Sequence, residues 1–415
     1  MSRLLEGIRV IESAQLFNGD TLGMHLGDLG ADVIKVESPF LGDYLRHFLG
    51  QVVPGYSPAH IQVNKNKRSV TLNLREAEGR DIFWRLLETA DVFIDGNASD
   101  AAEKLGIGYE EQCLRKPDIV YCQYTGFGSE GPYSRIPTHG QMMNALAAAT
   151  PMKMGDDGLT QRIEPPPAVM GGMQMGGDGT AAGAIHAAFH VAAALVHRER
   201  TGEGCFIDVA GHDGVISQAW IEATYALNLD RITDASTSPR GGGDGGGASA
   251  KYQWYEARDG KMLLFCCIEP KFWRNFCEAV DRPDLIEQHA SGQAVDFGAG
   301  QDELRRDLQT IFHQRDLAVW VELAANRDIP LGPAYVTLAE ATEDQHLQTR
   351  NIFVDGEHPV AGAFTYIGEA AKVRGHTYEV RHPAPALGEH TDEVLGKELG
   401  LSADELSQLH DRKII

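Results

Sequence analysis

The sequence predicts an α/β fold built on a parallel sheet, with a second, smaller α+β region. Three observations carry this: short β-branched runs recur through the first 125 residues, segments of helical spacing separate them, and a 43% hydrophobic content over 415 residues supplies a large core. Gly7-Ile8-Arg9-Val10-Ile11-Glu12 is the first strand. Gly23 to Leu29 has helical spacing, and Ala31-Asp32-Val33-Ile34-Lys35-Val36-Glu37 closes a βαβ unit. Ser69-Val70-Thr71-Leu72-Asn73-Leu74 is a third strand, Glu76 to Ala90 a helix, and Asp91-Val92-Phe93-Ile94-Asp95 a strand ending in the Gly96-Asn97 turn. Ile119-Val120-Tyr121-Cys122-Gln123-Tyr124 continues the series, and repeated crossovers of this kind place helices on both faces of one sheet.

The composition shifts at Ser236 to Ser249, where six glycines leave the backbone too free for regular structure; the stretch reads as a linker or a lid. Beyond it, Lys251 to Glu256 and Met262 to Cys267 flank Arg258-Asp259-Gly260 as a hairpin. The expected organisation is a large domain over 1–220, a small domain over 221–330, and a return segment over 331–415 that begins near Gly332-Pro333-Ala334.

Lys and Arg number 37 against 59 Asp and Glu, for a net charge of -22. A field of that sign repels nucleic acid and anionic membrane, so an anionic ligand must be held by local cations. The six cysteines have neither zinc-site spacing nor disulfide-scaffold density, the first residues hold no apolar leader, and no unbroken apolar run is long enough to span a membrane. These features describe a soluble, cytoplasmic protein with neither a structural metal nor a tightly bound cofactor. No GxGxxG follows the first strand and no GxxxxGK[ST] occurs, which disfavours a plain NAD or ATP site.

The best chemical lead is Asp178, set among glycines in Gly176-Gly177-Asp178-Gly179 and followed by an alanine-rich helix. Glycines let a bulky ligand approach, and a helix N-terminus favours an ionised carboxylate. Asp is also a preferred N-cap, so the pattern alone serves a capping role equally well. His139, in the loop before a helix over Gln141 to Ala149, is an acid-base candidate, because an imidazole can change charge near neutrality, or stands there as a surface or capping residue. Glu269 fits a helix-start carboxylate better than a chemical one. His186, His190 and His197 share a helix face but lack partner ligands for a metal. The basic run Lys65-Asn66-Lys67-Arg68, with Arg75 beyond, is either a solvated loop or an anion-binding edge.

Several ordered segments carry a family resemblance: Leu26-Gly27-Asp28-Leu29-Gly30-Ala31-Asp32-Val33-Ile34-Lys35-Val36-Glu37 with Gly42-Asp43, Asn66-Lys67-Arg68-Ser69, Gly126-Phe127-Gly128, Arg200-Thr201-Gly202-Glu203-Gly204 and Leu387-Gly388-Glu389-His390-Thr391. In these the chain resembles the class III CoA-transferases of the CaiB/BaiF type, a family that includes α-methylacyl-CoA racemases. The resemblance implies a Rossmann-like large domain and a small domain in an interlocked-ring homodimer. It implies a coenzyme A thioester as substrate and a carboxylic acid as acceptor. Asp178, 23 residues before Thr201, takes the place of the attacking aspartate, working through an aspartyl mixed anhydride and an aspartyl-CoA thioester. The contacts implied for CoA are Lys67 and Arg68 at the adenosine phosphate, Leu72 and Arg75 at the adenine, and Gly96, Asn97 and Lys104 at the diphosphate. Gly241 to Gly247 resembles the glycine loop that covers formyl-CoA transferase's site.

Two alternatives remain within that resemblance. A histidine at the place of His139 pairs with the aspartate in the racemases to move an α-proton. A catalytically silent subunit of a heteromeric transferase would bind CoA without turnover.

Overall fold

The computed structural model describes residues 3–97, 100–163, 177–234 and 249–415. The described residues divide into two units: 3–163, 177–219 and 351–415 form the first, and those of 220–350 form the second.

The first unit is organised on a six-stranded parallel sheet. Its strands are β1 (Arg9–Ser13), β2 (Asp32–Glu37), β3 (Lys67–Thr71), β4 (Val92–Asp95), β5 (Val120–Thr125) and β6 (Cys205–Ala210), in the spatial order β3-β2-β1-β4-β5-β6. Neighbouring residues on a strand point to opposite faces, so the continuous apolar runs feed two cores. Ile11, Ile34, Phe93 and Tyr121 pack on one face with Phe83 and Leu87, whereas Val10, Val33, Ile94 and Cys122 pack on the other with Leu22 and Leu26. Helix α1 (Asn18–Asp28) follows β1, α2 (Gly140–Leu146) follows β5, and α3 (Gly179–Thr201) leads into β6; α4 (Gly211–Gln218) then follows β6 directly.

Helix α3 is long and apolar enough to cross a membrane, but half of its most apolar stretch is buried, with Ala184, Ala187 and Val191 against Val120 and Tyr124 of β5. Its C-terminus is closed by Gly202 at φ 77°.

β3 lies at the edge of the sheet, and a late segment runs beside it. Asn66 N–H donates to His382 C=O (2.8 Å), His390 N–H to Ser69 C=O (2.9 Å), and Thr71 N–H to Thr391 Oγ1 (3.0 Å).

In the second unit, Tyr252–Glu256 and Met262–Cys266 pair antiparallel around the expected Arg258-Asp259-Gly260 turn. Leu331–Pro333 adds a third antiparallel strand beside Met262–Cys266. Phe265, Trp273, Phe276, Phe312 and Trp320 fill the core behind them. This pairing corrects the boundary expected at residue 331: the return to the first unit comes at Asn351, because 331–333 is a strand of the small sheet.

Candidate active site

The sheet order reverses between β1 and β4. From β1 the chain steps outward to β2 and β3, then returns to lay β4 on the other side. In open α/β sheets the crevice outside the carboxyl ends of such a pair is the usual place for a ligand. A cleft of about 240 Å³ occupies that position here, walled by Gln15 to Asn18 after β1, Gly96 and Asn97 after β4, and Thr125 and Gly126 at the end of β5. Tyr44, Pro137 to Gly140 and Thr180 complete the wall. The close approach of α1 to β4 needs two glycines: a Cβ on Gly19 would fall 2.3 Å from Ala14 Cβ, and one on Gly96 would fall 2.5 Å from it.

The floor and rim are held by buried carboxylates. Asp43 accepts from the N–H groups of Leu16 (3.1 Å) and Leu45 (2.8 Å) and pairs with Lys35 (3.0 Å). Burial pushes the Asp43 carboxyl up, but Lys35 and these backbone donors outweigh it and hold it at about 2. Leu16 has φ 61°, a left-handed conformation costly for a branched side chain, and the Asp43 carboxylate fixes it there.

Asp95, the last residue of β4, is wholly buried beneath the Gly96-Asn97 turn. It accepts from Asn97 N–H (3.0 Å), Asn97 Nδ2 (3.1 Å), Tyr121 OH (2.8 Å) and Gln123 Nε2 (3.2 Å). Burial pushes its carboxyl up to about 6, against the pull of these donors and with a further push from Glu103. Asn97 Nδ2 also donates to Ser13 C=O (3.0 Å), tying the β4 turn to β1.

Asp178 is the N-cap of α3, and its Oδ1 accepts from Thr180 N–H at 2.9 Å. Among the described residues no donor reaches its Oδ2. Gly177, at φ 71°, sets the chain's entry in a conformation that glycine adopts freely. Tyr124 OH donates toward the Gly179 (3.0 Å) and Thr180 (2.7 Å) carbonyls from below; burial, and then the charge of Asp178, hold its phenol well above the ordinary range. His139 is the N-cap residue of α2, exposed and in the cleft wall, and among the described residues no hydrogen bond or ion pair joins it to Asp178. The nearest structural link is Asn144, on the helix that His139 begins. Its Nδ2 donates to Gly177 C=O (2.6 Å) and its Oδ1 accepts from Gly179 N–H (3.0 Å).

The sequence candidates therefore separate. Gly96, Asn97 and His139 meet in one cleft, and Asp178 stands two residues from Thr180 in its wall. Lys67 is a correction: it is fully buried, and its ammonium is spent on Glu12 (2.7 Å) and Asp20 C=O (2.8 Å), so no phosphate reaches it. Leu72 is a second correction, being 2% exposed inside the core with Val70 and Ile414 rather than free to lie on an adenine. Arg68 is paired with Asp32 (2.6 Å) and with Glu398 near the amino ends of the strands, opposite the cleft. Arg75 is exposed beyond the carboxyl end of β3, and Lys104 is exposed beside Asp100 (2.6 Å). Glu269 stands at the N-cap of the helix Pro270–Ala279 in the second unit. Gly241 to Gly247 lie outside the described residues.

A family model of CoA-transferase family III matches residues 5–391. The chain belongs to CoA-transferase family III. It is 27% identical to a formyl-CoA:oxalate CoA-transferase of Rhodopseudomonas palustris strain BisA53, over 99% of this chain and 97% of that one. It is equally identical to the enzyme of that name from Escherichia coli O157:H7 strain EC4115, over the full length of both. Among solved structures, an aspartate-to-alanine mutant of Rv3272 from Mycobacterium tuberculosis superposes with TM-score 0.72 at 25% identity, over 94% of this chain and 98% of that one. A CAIB/BAIF family protein from Brucella suis superposes with TM-score 0.69 at 25% identity, over 96% and 100%. The parallel sheet and its switch-point cleft thus belong to a CoA-transferase whose relatives match it from end to end.

Proposed function

We propose that this transferase moves coenzyme A from an acyl-CoA to a carboxylic acid with Asp178 as the nucleophile. The observation that carries the reading is the position of that carboxylate, at the N-terminus of a 23-residue helix beside the cleft, with one oxygen committed to Thr180 N–H and, among the described residues, no donor at the other. The positive end of α3 favours the negative charge that develops on the carbonyl oxygen during attack.

The steps balance without a redox partner. Asp178 Oδ attacks the thioester carbonyl, the C–S bond breaks, and CoA leaves as thiolate from a mixed anhydride. The thiolate then attacks the aspartyl carbonyl, releasing the donor acid and leaving an aspartyl-CoA thioester. The acceptor carboxylate attacks that thioester to form a second anhydride, and the returning thiolate takes the new acyl group and frees Asp178.

Among the described residues the cleft lining holds no lysine or arginine; beside His139, its polar side chains are the uncharged Gln15, Asn18, Asn97, Thr125, Thr138 and Thr180 and the phenol of Tyr44. Such a lining suits the amides and thioester of the pantetheine arm. Its volume is below the roughly 300 Å³ of a pocket that encloses a whole drug-sized ligand. The phosphates then lie outside it, with Arg75 and Lys104 as their partners. We take the working form to be the interlocked homodimer, supported by Ile185, Phe189 and Val196, which stand exposed along α3. A cytoplasmic setting agrees with six free thiols.

The second reading, an α-proton shuttle, is favoured by His139 standing in the same cleft wall. One experiment separates the two. Wild type treated with acyl-CoA and then hydroxylamine should yield a hydroxamate on Asp178, Asp178→Ala should lose CoA exchange, and no deuterium should enter the substrate α-carbon. Deuterium entry at the turnover rate without an adduct refutes the transferase mechanism.

A further inference from the structure

The two peptide groups that flank Asp178 are the least constrained part of the site by sequence, because glycine stands on both sides. Peptide planes between glycines rotate readily, and a rotation of either one redirects the carboxylate. Here both are held by one side chain. Asn144 offers a donor and an acceptor on a single short amide, giving Nδ2 to Gly177 C=O at 2.6 Å and Oδ1 to Gly179 N–H at 3.0 Å.

The support for this amide is rigid. Met143, next to it on α2, is 1% exposed and wedged under two glycines: a Cβ on Gly179 would meet Met143 Cβ at 2.6 Å, and one on Gly211 would meet Met143 Sδ at 2.1 Å. Glycine at both positions is what lets α2 pack this closely on α3 and α4. Gly179 N–H is one of the donors that a helix start leaves without an intrahelical partner, and Thr180 N–H, the next, goes to Asp178 itself. With Gly179 N–H taken by Asn144, the Asp178 carboxylate has one oxygen engaged by Thr180 N–H and no donor at the other among the described residues.

We propose that Asn144 is the positioning residue for Asp178, locking the peptide groups on both sides of the nucleophile and fixing the direction of its carboxylate. The inference rests on the reading of Asp178 as the nucleophile. Asn144 touches no reacting atom; it acts through the geometry of its neighbour, where an error of about 1 Å costs on the order of a hundredfold in rate.

The test uses Asn144→Ala and the near-isosteric Asn144→Leu, both of which remove the two hydrogen bonds. The single-turnover rate of Asp178 acylation, followed as hydroxamate, should fall roughly 10- to 100-fold in each variant. The CoA dissociation constant by calorimetry should stay within about twofold, since the amide lies outside the cleft lining. A role confined to helix stability predicts the reverse pattern, a lowered melting temperature with an unchanged acylation rate. Acylation within twofold of wild type, or loss of folding in both variants, overturns the proposal. Failure of the wild type itself to give an Asp178 hydroxamate refutes the nucleophile and with it this role, which distinguishes the two failures.

Discussion

Replacing Asp95 by asparagine should stabilise the protein at neutral pH and do so less at acid pH. The carboxyl is wholly buried at the end of β4 and is pushed from its ordinary 3.8 up to about 6, first by burial. A carboxylate whose pKa is raised on folding holds its proton more tightly in the native state, so the native state is favoured below 3.8 and loses that advantage as pH rises through 6. Two pKa units and a little more correspond to about 3 kcal/mol, of which about 2 kcal/mol develops between pH 4.5 and 7.5. Asparagine removes the buried charge but keeps one acceptor where the carboxylate met four donor contacts, a loss of about 1 kcal/mol that does not vary with pH. Denaturant unfolding of both proteins across that range gives the difference directly, because every other titrating group cancels. The difference should move by about 2 kcal/mol in favour of asparagine as the pH rises. A difference flat with pH refutes the assignment of a raised pKa to Asp95.

Two further substitutions test the rest of the site. Lys67→Met should destabilise the protein by about 3–5 kcal/mol by leaving the buried carboxylates of Glu12, Asp20 and Asp43 to share Lys35, one positive charge short, yet leave CoA affinity within twofold when measured by calorimetry on folded protein; the opposite pattern would return Lys67 to the ligand. Gly96→Ala should cost about 1–3 kcal/mol by forcing a Cβ against Ala14 and should weaken CoA binding, read as a smaller ligand-induced rise in melting temperature; wild-type behaviour in both would deny the close packing of β1, α1 and β4.

The sheet was legible because parallel strands buried on two faces are written as unbroken apolar runs. Val33-Ile34 and Val92-Phe93-Ile94 declare themselves without tertiary context. β6 is harder to read: Phe206 is 38% exposed at the edge of the sheet, and the strand lies inside a segment whose loudest signal is the Thr201-Gly202-Glu203-Gly204 turn. The misplacement of Lys67 has a different origin. A run of basic residues does not state which side chains strand alternation turns inward, and the carboxylate that neutralises Lys67 lies 55 residues earlier in the chain. Asp95 was read only as the end of a strand, since neither its burial nor the converging hydroxyl of Tyr121 is visible before the sheet is assembled. Asp178 shows a local pattern and a distant one: its glycines and helix are visible in sequence, whereas the clamp from Asn144 comes from 34 residues away on another helix.

The segment laid along β3 sets a timetable for synthesis. Ser69 and His390, which meet across that edge, are separated by 321 residues. At ribosomal speeds of about 5–20 residues per second, roughly 15–60 s pass between the emergence of the strand and that of its cover. Throughout that interval the nascent sheet presents an open row of hydrogen-bonding groups beside the apolar side chains of Val70 and Leu72, the arrangement most prone to pairing with a neighbouring nascent chain. Late arrival of this cover makes the risk of mispairing at that edge a matter of chain order as much as of stability.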